Sequence, residues 1–211
     1  YGLTRQDSWL QLFKILELLG IGGGYRHLSH GMMRLPDGKI KSREGLVEGT
    51  AADDLLDNLD ELARAEVAKR HPQLSPREAA KRGHAIALGA LKYYILNVTP
   101  ASTMVFDPAK SLAFTGKTGP YLQYVHARTC SILAKAGPRP KAKARGANWS
   151  LLKGPAERQL ALQLDRFPQV VGTAAEALDP SLLARYLYDL ASAFSTFYAS
   201  VPVLQAGDAP T

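Results

Sequence analysis

The sequence predicts a mostly α-helical chain, and three observations carry that expectation. Apolar residues recur at helical spacing in one stretch after another, as in Trp9, Leu12, Phe13, Leu16 and Leu19. Helix-start signatures stand ahead of several of these stripes, with a hydroxyl or carboxylate before a proline, as in Ser75-Pro76-Arg77-Glu78 and Asp179-Pro180. Glycine follows others, as Gly20 and Gly137 do, where a left-handed residue would end the helix.

Taken in order, the first helix ends near Leu19, and Ile21-Gly22-Gly23-Gly24 makes a turn. That turn is not a dinucleotide fingerprint, because Tyr25 follows where a third glycine is still needed and a helix precedes it instead of a strand. Residues His27 to Leu35 are expected as a short strand. Thr50-Ala51-Ala52-Asp53 forms a capping box ahead of Leu55, Leu56, Leu59, Leu62 and Ala63. Ser75 opens a further helix that runs through Ile86 and Leu91 to about Asn97, before Pro100. Gly116-Lys117-Thr118 resembles the end of a phosphate loop, but Ser111 stands where its first glycine is required. It reads better as the turn that starts a helix at Pro120, with Leu122, Val125, Thr129, Ile132 and Leu133 on one side. Pro155 opens the next helix, Phe167, Val170, Val171 and Ala174 mark another, and Asp179-Pro180 caps a third with Leu183, Tyr186, Leu187, Leu190, Phe194 and Phe197 on one face. The tail from Gln205 to Thr211 is polar and expected to be disordered.

Composition narrows the class. With 211 residues, 46% hydrophobic and 21% charged, the chain can bury a core as one large or two small domains. The excess of 26 basic over 19 acidic residues gives a net charge of +7, which favours a polyanionic partner. A single cysteine, Cys130, excludes an intramolecular disulfide framework and suits a reducing, cytoplasmic compartment; its apolar position in the helical period leads to the expectation of a small buried side chain. No apolar run reaches the length of a membrane span, so no membrane partner is expected, and no signal or transit segment is read at the start. Beginning at Tyr1 instead of Met, in patterned sequence, the chain has the look of a cut.

Two stretches carry chemistry. Gly38-Lys39-Ile40-Lys41-Ser42-Arg43-Glu44-Gly45 gathers two lysines, an arginine and a hydroxyl between glycines, which suits either a solvated turn or a loop that stabilises a polyphosphate. On the helix from Pro120, Tyr121, Gln123, Tyr124 and Arg128 fall largely off the apolar side. Rings beside an amide and a guanidinium suit single-stranded RNA, and equally suit half-buried packing. Beyond Gly137, Arg139, Lys141, Lys143 and Arg145 interleave with Pro138, Pro140 and alanines and no acidic residue, either a solvated linker or a surface that tracks phosphates.

The run Met32-Met33-Arg34-Leu35-Pro36-Asp37-Gly38-Lys39-Ile40-Lys41-Ser42-Arg43-Glu44-Gly45 resembles the mobile Lys-Met-Ser-Lys-Ser segment of class I aminoacyl-tRNA synthetases in its arginyl-tRNA synthetase form. Thr118-Gly119-Pro120-Tyr121-Leu122-Gln123-Tyr124-Val125-His126-Ala127-Arg128 is similar to a second block of that family, with Val125 where alanine is usual, and Ala90-Leu91-Lys92-Tyr93-Tyr94 lies between the two as in the family. The resemblance implies the end of a Rossmann-type α/β catalytic domain over residues 1–114, with stem-contact helices, and a truncated all-helical anticodon-binding domain over 115–211. It implies ATP-dependent activation of arginine, with Mg2+ accompanying the ATP, and transfer to the tRNA specific for arginine. Lys39, Lys41, Ser42 and Arg43 would stabilise the departing pyrophosphate, Lys39, Ile40, Lys41 and Ser42 would contact ATP, and Ile40 would anchor the loop. Gln6 would contact arginine, although Ser8-Trp9 stands where the family often has His-Phe. Tyr121, Gln123, Tyr124, Arg128, Arg139, Lys141, Lys143 and Arg145 would contact tRNA. His27-Leu28-Ser29-His30 is not the family's His-x-Gly-His motif, which lies far upstream of the lysine loop; His27 takes a structural part, and no resident metal site is expected. Without the nucleotide-binding half, the chain alone is expected not to aminoacylate, and the competing expectation is a catalytically silent RNA-binding module derived from a synthetase.

Overall fold

The computed structural model describes residues 6–35, 38–39, 52–137 and 152–204. Its first helix, α1 (Gln6–Leu18), starts at Gln6 itself and ends before Gly20, whose φ of 71° is the left-handed conformation that a glycine tolerates. Trp9 and Phe13 point to the returning segment, where Trp9 stacks on His27 at 5.2 Å and Phe13 on Tyr25 at 5.4 Å. These stacks explain why the strand is shorter than expected. It begins at Met33 and not at His27, because the rings hold the segment before it against α1.

Three short strands form one sheet in the order β2-β1-β3. In it β1 (Met33–Leu35) pairs antiparallel with β2 (Gly38–Lys39), Arg34 opposite Lys39, and parallel with β3 (Met104–Val105). Just ahead of β1, the Gly31 N–H donates to the Pro100 carbonyl at 2.6 Å, and a Cβ on Gly31 would overlap the Ser102 carbonyl. Only a residue without a side chain fits that approach.

Helices α2 (Ala52–Arg70) and α3 (Pro76–Leu96) form an antiparallel hairpin beneath the sheet. The Ser75 hydroxyl accepts from the Glu78 N–H and Pro76 follows it, as the capping signature requires, and Asn97 closes the far end. Leu59, Ala63 and Ala87 are buried between the two helices, and Phe106, fully buried just after β3, joins that cluster. Tyr94 meets Phe106 edge-on at 4.9 Å and donates its hydroxyl to the Val105 carbonyl at 2.6 Å. One aromatic thus fastens the sheet to the helices. Leu62, expected in the same stripe, is 44% exposed at its edge. The Thr50 cap lies outside the described residues.

After a single turn, α4 (Pro108–Ser111), the bundle begins with α5 (Gly119–Ala136), then α6 (Pro155–Asp165), α7 (Phe167–Ala177) and α8 (Pro180–Ser200). Thr118 caps α5, Asp179 caps α8 through the Ser181 N–H, and Gly137 ends α5 at φ 78°. Helix α8 is the hub, packing against α3, α5, α6 and α7. Its Tyr186 is buried against Phe167 and donates to the Gln163 carbonyl, while Leu187 stays 38% exposed. Cys130 is exposed, contrary to the expected burial, because it shares a helical side with His126 and not with Val125 and Thr129. Leu133 is likewise 43% exposed. Among the described residues no helix is long and apolar enough to cross a membrane.

Candidate functional site

The lysine run starts from a fixed point. Opposite Arg34 in the hairpin, Lys39 is the last residue of β2, and β1 is held on its other edge by β3 and by Phe106 just after it, whose N–H donates to the Arg34 carbonyl at 2.7 Å. Ile40, Lys41, Ser42 and Arg43 lie outside the described residues. Gln6 is the first residue of α1, within the helix and not ahead of it.

On the bundle, the four predicted residues of α5 divide into two pairs. Tyr121 turns to α8, its hydroxyl 3.2 Å from the Ser195 hydroxyl and its ring 5.7 Å from that of Tyr188. Gln123 turns to α3, where its amide donates to the Ala85 carbonyl at 2.8 Å and lies so close to Gly89 that a Cβ there would overlap it. The apolar stripe did not separate these two from the surface, because polar and aromatic side chains also occupy helix contacts; of the Gln123 amide the nitrogen is bonded, while Oε1 is buried with no partner among the described residues. Both are half-buried and make contacts between helices in this geometry.

Tyr124 and Arg128 form the other pair. Tyr124 is 44% exposed, and the Arg128 guanidinium lies 4.6 Å from its ring centroid and hydrogen-bonds its hydroxyl. The same guanidinium lies 4.9 Å from the ring centroid of Tyr198 on α8, which is itself exposed and stacked with Phe194 at 6.2 Å. One cation is therefore held between two exposed rings from different helices, each ring face attracting it electrostatically. Further along α8, the Tyr188 ring lies 5.6 Å from Lys117 Nζ. Sequence reasoning missed Tyr198 and Lys117. The available signal for Tyr198 was its place four residues after Phe194, one turn along the same face.

Chemically, this patch offers flat apolar faces for stacking and a planar fork of donors for an anion or a base edge. Titration is perturbed elsewhere: burial pushes the Tyr93 phenol up to about 12, with Tyr188 and Asp189 adding to the effect, and burial also raises Tyr186. Arg139, Lys141, Lys143 and Arg145 lie outside the described residues, but Lys135 and Lys153 at the two edges of that gap are exposed. Among the described residues, no group of three or more His, Cys, Asp or Glu converges as metal ligands would.

Residues 122–210 match the DALR anticodon binding domain. The chain is 44% identical to the arginine–tRNA ligase of Treponema denticola over 99% of its own length, and 42% identical to that of Treponema pallidum over 92%. It covers 36% and 33% of those proteins, so it spans about a third of the curated relatives. The solved arginyl-tRNA synthetase of Thermus thermophilus superposes with a TM-score of 0.70 at 32% identity, covering 88% of this chain and 29% of that one. A short mixed sheet and helical hairpin followed by a helical bundle that carries the DALR match place this chain in the arginyl-tRNA synthetase family.

Proposed function

We propose that the chain serves the ATP-dependent attachment of arginine to its tRNA, supplying the lysine loop from its catalytic-domain portion, up to residue 114, and an RNA-reading surface from the bundle beyond. The single observation that carries the RNA part is Arg128 held between the exposed rings of Tyr124 and Tyr198. Bases unstacked from a single-stranded loop would lie on these rings, and the guanidinium would take a phosphate or a base edge. Tyr121 and Gln123 act one layer behind, holding α5 against α8 and α3. Arg139, Lys141, Lys143 and Arg145 would follow the phosphates.

In the activation step, the arginine carboxylate attacks the α-phosphorus of ATP and pyrophosphate departs with the electron pair of the broken P–O bond. Lys39, Lys41 and Arg43, with the Ser42 hydroxyl, would neutralise the charge that builds on it, and Ile40 would fix the loop to the core. Such a donor set suits a polyphosphate, and Mg2+ would arrive with the ATP as part of the substrate. Gln6, the first residue of α1, would donate to or accept from the arginine substrate. By itself the chain, spanning about a third of its relatives, is expected not to complete the reaction.

The test is binding of an anticodon stem-loop of arginine tRNA, followed by fluorescence anisotropy, to the chain and to Arg128→Ala. A weakening of about tenfold or more is expected from the loss of one charge-assisted, stacked contact. Equal affinity would overturn the assignment. Arginine-dependent ATP–pyrophosphate exchange by the purified chain would overturn the expectation that it is inactive alone.

A further inference from the structure

Helix α8 reaches from the aromatic patch to the turn behind the lysine hairpin. Its 21 residues run without interruption, with Tyr198 near one end and Arg185 near the other, about 20 Å apart at 1.5 Å per residue. Arg185 Nη2 donates to the Thr99 hydroxyl at 3.0 Å and to the Ser181 hydroxyl at 3.2 Å, so one guanidinium nitrogen joins the turn to the first turn of α8. Thr99 begins a tight turn: its carbonyl accepts from the Ser102 N–H at 2.9 Å, and the adjacent Pro100 carbonyl accepts from Gly31. Because Gly31 meets that turn backbone to backbone, no flexible side chain lies between the turn and β1. A second link runs alongside, where Arg26 Nη1 donates at 3.4 Å to the Glu176 carbonyl in the last turn of α7, the negative end of a helix.

We propose that Arg185 and Thr99 are positioning residues that tie the bundle to the strand pair carrying Lys39, so that RNA on the Tyr124–Arg128–Tyr198 patch steadies that hairpin. The inference rests on the RNA reading given above. A rigid helix passes a small tilt from one end to the other undiminished, and the Arg185–Thr99 bond is an element that is either made or broken. Arg26 gives the same frame a second point of attachment, which resists rotation about the first.

Amide hydrogen exchange on the whole chain tests this, reading the segments 26–39 and 102–106, whose Gly31, Met104 and Phe106 amides are bonded across the sheet edge. Anticodon stem-loop RNA is expected to slow exchange there about threefold or more in the unaltered chain, a coupling of ordinary size. Thr99→Val, which keeps the shape and removes the acceptor, should bind the RNA within about twofold and lose that slowing, and Thr99→Ser should restore it. Slowing that survives in Thr99→Val, or RNA that binds the unaltered chain and leaves 26–39 unchanged, overturns the proposal. If the unaltered chain binds no RNA, the RNA reading falls. The tie is then judged without RNA: Thr99→Val should speed exchange at 26–39 about threefold while leaving α5 unchanged, and no change there overturns the tie as well.

Discussion

The Arg128 guanidinium on α5 lies 4.9 Å from the centre of the Tyr198 ring on α8, two residues from separate helices that meet at the exposed face of the bundle. Neither is needed to hold the helices together, because Tyr121 and Tyr188 pack the same pair of helices deeper in. Replacing Tyr198 by Ala should therefore leave melting nearly unchanged and weaken RNA binding by about 1–3 kcal/mol, the worth of one stacked base. A double-mutant cycle with Arg128→Ala checks that the two act together: their effects should add to less than the sum.

Neutralising Arg139, Lys141, Lys143 and Arg145 together should lower RNA affinity and, more tellingly, flatten its dependence on salt. If all four touch phosphates of a single strand, the slope of log K against log salt should fall by about 2 to 3. An unchanged slope in a salt titration would identify the stretch as a solvated linker.

Gly119 meets the Gly89 carbonyl at the crossing of α5 and α3, and a Cβ there would overlap backbone that cannot move aside. Gly119→Ala should cost about 2–3 kcal/mol in urea unfolding, as overpacking does. Gly172 in α7 has open space around it, so Gly172→Ala should be neutral or stabilising by up to about 1 kcal/mol.

Tyr93 is buried and donates its hydroxyl to the Ala184 carbonyl at 3.3 Å, joining α3 to α8. Its phenol is pushed up to about 12 in the fold, above the ordinary value of 10.0, so above pH 10 the unfolded chain gives up this proton first. The stabilisation is complete below that pH and is lost as pH rises toward about 12, by up to about 1.4 kcal/mol per pH unit. Urea melts between pH 9 and 11.5 should show a steeper decline for the unaltered chain than for Tyr93→Phe.

What the sequence disclosed was mostly local. Ser75 with Glu78, Asp179 ahead of Pro180, and the glycines at 20 and 137 mark helix ends because a cap is satisfied within a turn of the chain. The two family blocks likewise sit in short contiguous runs. Contacts made at a distance were hidden. Pairing of β1 with β3 depends on residues far apart, and the ring stacks at Trp9 and Phe13 that delay the strand to Met33 could not be read from alternation alone. Cys130 stands outside because the helical side it shares with His126 faces away from the neighbouring helices, and Tyr198 joins the patch only once α8 lies beside α5.

The most direct test of the account compares binding of this chain to arginine tRNA and to the same tRNA with its anticodon replaced, across a salt series. About a tenfold or greater preference for the native anticodon is expected, persisting at high salt and disappearing in Arg128→Ala, since base contacts specify where phosphate contacts only position. Equal affinities with equal salt slopes would contradict it, leaving a basic chain that holds RNA by charge alone.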